Sequence, residues 1–244
     1  MSISVLIVAH NEEKYIEKCL NSIKNQTKKP DEVVLVAHNC SDNTIEIAKR
    51  FPFVNIIEYS GPKGTPYARI RGFELVKGDI VACIDGDSYA SPEWLERIVK
   101  PLENQSIAGV GGMIWYPKTI LANLSSISFF FLEKYFRSTY HFYFWGANFA
   151  CRKEDYKRVG GLVPLITLKD DLGLHFFPDD AYLSCALSNI GTISFVSTAS
   201  VFTYLKYKGI SSLSLGKYQN EDRLKLFSHF GFLKPSFLKK RLNK

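Results

Sequence analysis

Strand and helix patterns alternate along the first 105 residues, and this alternation constrains the fold more than any other feature of the sequence. Runs of β-branched and aliphatic residues predict strands, and a continuous run such as Ile3–Ala9 is typical of a strand buried on both faces. Between these runs, apolar residues recur at helical spacing and predict helices. These runs are Ile3–Ala9, Glu32–Ala37, Val54–Glu58 and Asp79–Ile84. Strand–helix–strand units of this length form right-handed crossovers, so the sequence predicts a mostly parallel central sheet flanked by helices.

The second half of the chain is less regular. The predicted strands are Ile107–Trp115, Ile193–Val196 and Ser200–Tyr204, and the predicted helices are Leu121–Tyr140, Lys153–Val159, a helix that opens at Pro178, and Ser212–His229. No linker or repeat divides the 244 residues, so we expect a single α/β domain over residues 1–230, with halves at 1–105 and 106–230. Residues 231–244 would form a basic amphipathic tail.

Composition narrows the class of protein. With 46% hydrophobic and 23% charged residues the chain is expected to fold, and it contains no run of about 18 apolar residues that could span a membrane. The first residues lack the charged start of a signal peptide. Five scattered cysteines without a C-x-x-C pair disfavour a disulfide framework or a zinc site. These features predict a cytoplasmic protein.

The net charge of +7 is concentrated at the end of the chain, where residues 205–244 carry ten lysines and arginines but two acids. A basic segment interleaved with apolar residues suits the surface of an anionic membrane, which would make the protein peripheral on the cytoplasmic face. A tail that only aids solubility explains the charge equally well. Aromatic residues are dense over 128–145, where they would either fill the core or form a rim that contacts lipid or sugar.

Polar residues follow three of the predicted strands, at the edge of a parallel sheet where ligands bind. One such group is Asp85-Gly86-Asp87, whose two carboxylates could approach one divalent cation, although aspartate and glycine are also common in plain turns. A second acidic pair, Asp179-Asp180, opens a predicted helix. These two carboxylates would either complement the helix dipole or supply a general base for a bound hydroxyl.

Cations flank a glycine-containing loop near the same edge. Lys63 and Arg69 could neutralise phosphates, and we favour Arg69 over Arg71 because residues two apart on a helix face different directions. The chain has no G-x-G-x-x-G after the first strand, no G-x-x-x-x-G-K-[ST] and no G-x-S-x-G. These absences disfavour dinucleotide-dependent oxidoreductases, P-loop enzymes and α/β-hydrolases.

Several motifs in order resemble the family 2 glycosyltransferases of the A-type fold. They are Val5–Glu12, Val36–Thr44, Ala68-Arg69, Gly78–Asp87, Gly146-Ala147-Asn148, Arg152, Val159-Gly160-Gly161 and Asp179-Asp180-x-x-Leu183. The resemblance covers roughly residues 3–190. It implies a single-domain A-type glycosyltransferase fold with a nucleotide-sugar half and a less regular acceptor-side half.

The resemblance also implies roles for individual residues. The nucleotide-sugar donor would contact Ala9, Asn11, Glu12, Asn39, Lys63, Arg69, Asp85 and Gly86. A Mg²⁺ or Mn²⁺ ion would bind Asp87 and Asp85, Asp180 would be the catalytic base, and the acceptor would contact Trp145, Gly146, Asn148 and Asp179. Two positions depart from the family: Asn39 replaces a usual aspartate that reads the base, and Ile70 replaces the asparagine that commonly follows the arginine.

The activity that the resemblance implies is inverting, metal-dependent transfer of one sugar from a nucleoside-diphosphate sugar to a hydroxyl acceptor. The basic tail and the aromatic segment suggest that this acceptor is lipid-linked or belongs to the cell envelope. Gln219 and Arg223 do not form the Q-x-x-R-W motif of processive synthases, so we expect a single transfer rather than polymerisation. No nucleic-acid partner is expected of such an enzyme. The alternatives are a basic adaptor that retains a degenerate transferase fold, and a sugar-nucleotide pyrophosphorylase.

Overall fold

The computed structural model describes residues 1–117, 120, 123–124, 144–204 and 221–231. Its first half follows the predicted alternation: β1 (Ile3–Ala9), α1 (Ile16–Lys24), β2 (Glu32–His38), α2 (Thr44–Ala48), β3 (Val54–Tyr59), α3 (Thr65–Leu75) and β4 (Ile80–Asp85). Each of the four strands predicted in this half is confirmed to within one residue at either end.

The rest of the described residues form further elements. They are β5 (Ser88–Ala90), α4 (Trp94–Val99), a 3₁₀ turn (Lys100–Glu103), β6 (Ile107–Trp115), β7 (Asn148–Arg152), α5 (Lys153–Arg158), α6 (Val163–Asp171), α7 (Asp179–Ser188), β8 (Thr192–Thr203) and a C-terminal helix over residues 221–229. The strands β5 and β7 and the helix α6 were not predicted. The two strands expected over residues 193–204 form the single strand β8. Its register against β6 shifts between Val196 and Ser200, where the two predicted strands are separated.

The eight strands within the described residues form one sheet, in the order β3-β2-β1-β4-β7-β6-β8-β5. The pairs among β3, β2, β1 and β4 are parallel, as is β6 with β8, while β7 runs antiparallel between β4 and β6. The α/β architecture with a central sheet and flanking helices is therefore confirmed. Because β7 is antiparallel, its first residue, Asn148, pairs with Ile84 at the far end of β4.

Alternating side chains of the buried strands divide the core into two layers. In β1, Val5 and Ile7 pack with α1 and α4 on one face, while Leu6 and Val8 pack with α3 and α7 on the other. Burial on both faces fixes the register of the strands, since a slip of one residue would exchange the two layers. The carboxyl ends of β1, β2 and β4 are thus held at one edge of the sheet.

Four predictions fall wholly or partly outside the described residues: the helix over 121–140, the aromatic segment over 128–145, the helix over 212–229 and the basic tail over 231–244. Among the described residues, none of the helices has the length and apolar character needed to cross a membrane.

Candidate active site

The loops that follow β1, β2, β3 and β4, together with the start of α3, line a cavity of about 500 Å³. Six residues that the sequence assigned to the nucleotide-sugar or the metal line it: Ala9, Glu12, Asn39, Lys63, Asp85 and Asp87. We call these six residues the cavity side of the site. Their convergence follows from the parallel strands, whose carboxyl ends meet at this edge.

Two asparagines at this edge adopt left-handed backbone conformations, Asn11 with φ of 56° and Asn39 with φ of 50°. The side-chain oxygen of Asn11 accepts a hydrogen bond from the Ser41 backbone N–H at 2.8 Å. The Asn39 amide donates to the Gly61 carbonyl at 2.9 Å and accepts from the Gly61 N–H at 3.2 Å. Both side chains therefore brace neighbouring loops, and Asn39 uses a donor that an aspartate would lack.

The turn Asp85-Gly86-Asp87 packs tightly against the end of β1. The Gly86 N–H donates to the Val8 carbonyl at 2.8 Å, and a Cβ atom at Gly86 would lie 2.8 Å from that of Ala9. The Asp87 carboxylate accepts hydrogen bonds from Ser88 at 3.1 Å and Thr203 at 3.4 Å. Glycine is therefore required for the turn that presents both carboxylates to the cavity.

The residues at this turn fit a hard divalent cation. Carboxylate oxygens are the donors that Mg²⁺ and Mn²⁺ prefer, and such ions often need one or two protein carboxylates when substrate phosphates complete the coordination. Across the described part of the chain there is no cluster of three or more histidine, cysteine, aspartate or glutamate side chains arranged to hold a metal alone. An ion at Asp85 and Asp87 would thus depend on a bound diphosphate.

Arg69 connects this turn to the second acidic pair. Its guanidinium, with the side chain 3% exposed, donates to Asp85 at 2.9 Å, to the Gly146 carbonyl at 2.8 Å and to Asp179. A Cβ atom at Gly146 would lie 2.8 Å from Nη2 of Arg69, so glycine is required there for the guanidinium to fit. One buried arginine therefore ties the end of β4, the start of β7 and the start of α7 together.

The positive charge of Arg69 lies between the negative charges of Asp85 and Asp179 and compensates both. Burial raises the pKa of Asp85 to about 6 and also raises the pKa of Asp179, while the Arg69 guanidinium opposes both changes. For Arg69, burial lowers the pKa, but the two carboxylates outweigh burial and raise it overall. The guanidinium thus stays charged, and its removal would leave the buried Asp179 carboxylate and the partly exposed Asp85 carboxylate without their counter-ion.

The structure gives Arg69 a different role from the predicted one. The sequence assigned it to the donor phosphates, yet its two terminal nitrogens are committed to Asp85, Asp179 and Gly146. Lys63, exposed and lining the cavity, is better placed to meet a phosphate. The choice of Arg69 over Arg71 agrees with the structure, because Arg71 pairs with Glu74 at the surface.

Asp179 and Asp180 occupy the first turn of α7, and we call them the carboxylate pair. Asp180 is buried; its Oδ1 accepts from the Ala181 N–H at 2.7 Å and its Oδ2 accepts from Arg223 at 3.2 Å. The sequence analysis predicts no role for Arg223, because it does not complete the Q-x-x-R-W motif. Nothing in the neighbouring sequence distinguishes it from the other nine lysines and arginines of residues 205–244.

The residues assigned to the acceptor divide into two groups. Trp145 and Gly146 are partly exposed beside Arg69, and Asp179 is held by that arginine. Asn148 is fully buried; its amide donates to the carbonyls of Met113 and Ala199 and accepts from the Trp94 indole. Its hydrogen-bonding groups are therefore used within the fold, so Asn148 joins β6, β8 and α4 instead of contacting an acceptor.

The sequence of this chain is similar to a family model and to several known proteins. The sequence model described as Glycosyl transferase family 2 matches residues 4–160. Glycosyltransferase AglE of Haloferax volcanii is 36% identical over 118 residues, which are 46% of this chain and 39% of that protein. Glucosyl-dolichyl phosphate glucuronosyltransferase of the same organism is 31% identical over 120 residues, 47% of this chain and 38% of that protein. The chain matches about two fifths of the length of these relatives.

Solved structures share the fold at low sequence identity. Mannosyltransferase PcManGT from Pyrobaculum calidifontis, in complex with GDP-Man and Mn²⁺, superposes with a TM-score of 0.71 at 19% identity over 93% of this chain and 63% of that one. Glucosyl-3-phosphoglycerate synthase from Mycobacterium tuberculosis, in complex with Mn²⁺, UDP and phosphoglyceric acid, gives 0.64 at 18% identity over 96% and 80%. At these identities the likeness establishes the fold alone.

Proposed function

Because this chain belongs to glycosyl transferase family 2, we propose that it transfers one sugar from a nucleoside-diphosphate sugar to a hydroxyl acceptor, with inversion at the anomeric carbon. The observation that carries the proposal is the Arg69 bridge. By contacting both Asp85 and Asp179, Arg69 joins the cavity side to the carboxylate pair. A donor in the cavity would therefore lie beside a group that can accept a proton.

We propose that the cavity side binds the donor. Ala9, Glu12 and Asn39 line the end of the cavity formed by β1 and β2, while Lys63 adds positive charge for the diphosphate. Asp87 and Asp85 would hold a Mg²⁺ or Mn²⁺ ion, which supplies positive charge to the departing nucleoside diphosphate. The two solved relatives bind Mn²⁺ with UDP or GDP-Man, and this supports the assignment without fixing the base that this chain accepts.

On the acceptor side, we propose that Asp180 acts as general base. The acceptor hydroxyl loses its proton to the carboxylate as its oxygen forms a bond to the anomeric carbon, and the bond from that carbon to the diphosphate oxygen breaks. Direct displacement of this kind inverts the anomeric configuration. We propose that Trp145, Gly146 and Asp179 contact the acceptor, because Gly146 and Asp179 both hydrogen-bond to Arg69 and Asp179 precedes Asp180 in α7.

The acceptor class is proposed from one relative and from the charge of the tail. A relative named for a glucosyl-dolichyl phosphate acceptor supports a lipid-linked hydroxyl, and the basic residues after 231 suit an anionic membrane surface. We expect the protein to sediment with phosphatidylglycerol vesicles at low salt and to lose that binding when residues 231–244 are deleted. Unchanged sedimentation of the deletion variant would remove the tail from this proposal.

A thermal-shift screen tests the proposed function. UDP-, GDP- and dTDP-sugars are added with and without Mn²⁺; a ligand at 100 times its Kd stabilises the native state by about 2.7 kcal/mol. We expect one nucleotide class to raise Tm only when Mn²⁺ is present, and the Asp87→Ala variant to lose that rise. A wild-type chain that responds to none of the donors would favour the non-catalytic adaptor.

A further inference from the structure

The C-terminal helix lies outside the segment that matches the family, yet it is anchored on the loop that leads into the carboxylate pair. Asp222, fully buried, accepts hydrogen bonds from the Phe176 N–H at 2.8 Å and from the His175 ring at 3.2 Å. Lys225 donates to the Gly173 carbonyl at 2.6 Å. These three contacts fix the helix against residues 173–176, three residues before α7 begins.

From this anchored helix, Arg223 reaches Oδ2 of Asp180 at 3.2 Å. Its side chain is 19% exposed, so the ion pair is largely shielded from solvent. A carboxylate has about four lone-pair positions, and the contacts to Arg223 and to the Ala181 N–H occupy two of them. The pair can therefore orient the carboxylate without blocking it.

The two carboxylates of the pair are thus held by different arginines. Arg69 comes from α3 and fixes Asp179, whereas Arg223 comes from the C-terminal helix and fixes Asp180. Among the described residues, those lining the cavity include neither Arg223 nor Asp180, so this ion pair lies outside the cavity proposed for the donor. Its position favours an action on the base over an action on the donor.

We propose that Arg223 is a positioning residue that holds the Asp180 carboxylate in the orientation needed for proton transfer, and that Asp222 anchors the helix that carries it. The inference rests on the proposed function, in which Asp180 is the base. It makes the C-terminal helix part of the catalytic unit. A displacement of about 1 Å at a reacting group can cost about 100-fold in rate, so a small change in this ion pair is expected to be visible in kcat.

A double-mutant cycle between Arg223→Gln and Asp180→Asn tests the inference. The assay follows release of nucleoside diphosphate from the donor identified by thermal shift. We expect Arg223→Gln to lower kcat by about 10- to 100-fold while the Kd for donor with Mn²⁺ stays within twofold. In the Asp180→Asn background, the same substitution should have no further effect, because the group it orients is gone.

Controls separate positioning from folding. Arg158→Gln removes an exposed arginine of α5 and should leave kcat unchanged. Guanidinium added at millimolar concentration should restore part of the activity of an Arg223→Ala variant, which a loss of folding would not allow. Asp222→Asn, which weakens the anchor and keeps Arg223, should lower kcat less than Arg223→Gln does.

The outcomes distinguish the inference from the function on which it rests. If Arg223→Gln weakens donor binding tenfold or more, Arg223 is a phosphate ligand and the inference fails. If its effect on kcat adds fully to that of Asp180→Asn, Arg223 acts independently of the base, and the inference also fails. If Asp180→Asn alone turns over normally, the proposed base is wrong whatever Arg223 does.

Discussion

The cavity side and the carboxylate pair are built in different ways. On the cavity side, the polar residues lie at or after the carboxyl ends of β1, β2, β3 and β4, and the parallel pairing of these strands sets their place. The carboxylate pair is held by Arg69 and Arg223, which are 110 and 43 residues away in the chain. Strand ends therefore position the residues proposed to bind the sugar donor, whereas long-range ion pairs position the carboxylates proposed to act on the acceptor.

The largest effect should come from the carboxylate pair. We expect Asp180→Asn to lower turnover by about 10²- to 10⁴-fold, the usual contribution of a general base, because an amide cannot accept the proton. Nucleoside diphosphate release measures it, with Asp171→Asn as a control on the exposed end of α6. Turnover within a few fold of wild type would remove Asp180 from the base role.

The next effect tests the bridge between the two regions. Arg69→Gln should destabilise the protein by about 3–5 kcal/mol, since it leaves the buried Asp179 carboxylate without its counter-ion and removes the partner of the partly exposed Asp85. Arg71→Gln is the matched control, two residues along α3 and exposed, and should change stability by less than about 0.5 kcal/mol. Denaturant unfolding measures both, and equal effects would contradict the bridging role of Arg69.

Gly146 tests the same bridge without removing a charge. A methyl group at this position would contact the Arg69 guanidinium, so Gly146→Ala should cost about 1–3 kcal/mol, the usual range for overpacking. Because the arginine holds both regions, donor affinity and turnover should fall together. If calorimetry and kinetics show only the turnover changing, the bridge does not reach the cavity side.

The smallest effect is expected from Asn39 on the cavity side. Asn39→Asp loses the donor to the Gly61 carbonyl, so we expect a loss of about 1 kcal/mol in unfolding free energy. The loop over residues 61–64 carries Lys63, and its altered position should weaken donor binding a few fold. A variant that binds the donor more tightly would show instead that the amide only occupies the place of a base-reading carboxylate.

The sequence predicts the cavity side well because its signals are local. Largely apolar runs identify β1, β2 and β4, and polar residues at or near the ends of these strands line the cavity. The strands β5 and β7 escaped prediction because they are three and five residues long and exist only through antiparallel partners distant in the chain. Short segments of this kind are set by tertiary pairing more than by propensity.

The ion pairs that hold the carboxylate pair could not be predicted from the sequence for a related reason. Nothing near Arg69 indicates that its partners lie 16, 77 and 110 residues away. Asn148 matched a motif and was assigned to the acceptor, but its burial against Trp94 depends on how β7 sits between β4 and β6. Contacts of high sequence separation need the fold to be known first.

Calorimetry of donor binding tests whether the cavity side binds the sugar donor while the carboxylate pair acts only on the acceptor. The wild type, Asp87→Asn and Asp180→Asn are each titrated with the nucleotide selected by thermal shift, with and without Mn²⁺. We predict that Asp87→Asn loses the Mn²⁺-dependent part of the affinity while Asp180→Asn binds as the wild type does. Equal loss in both variants, or none in Asp87→Asn, would contradict the account.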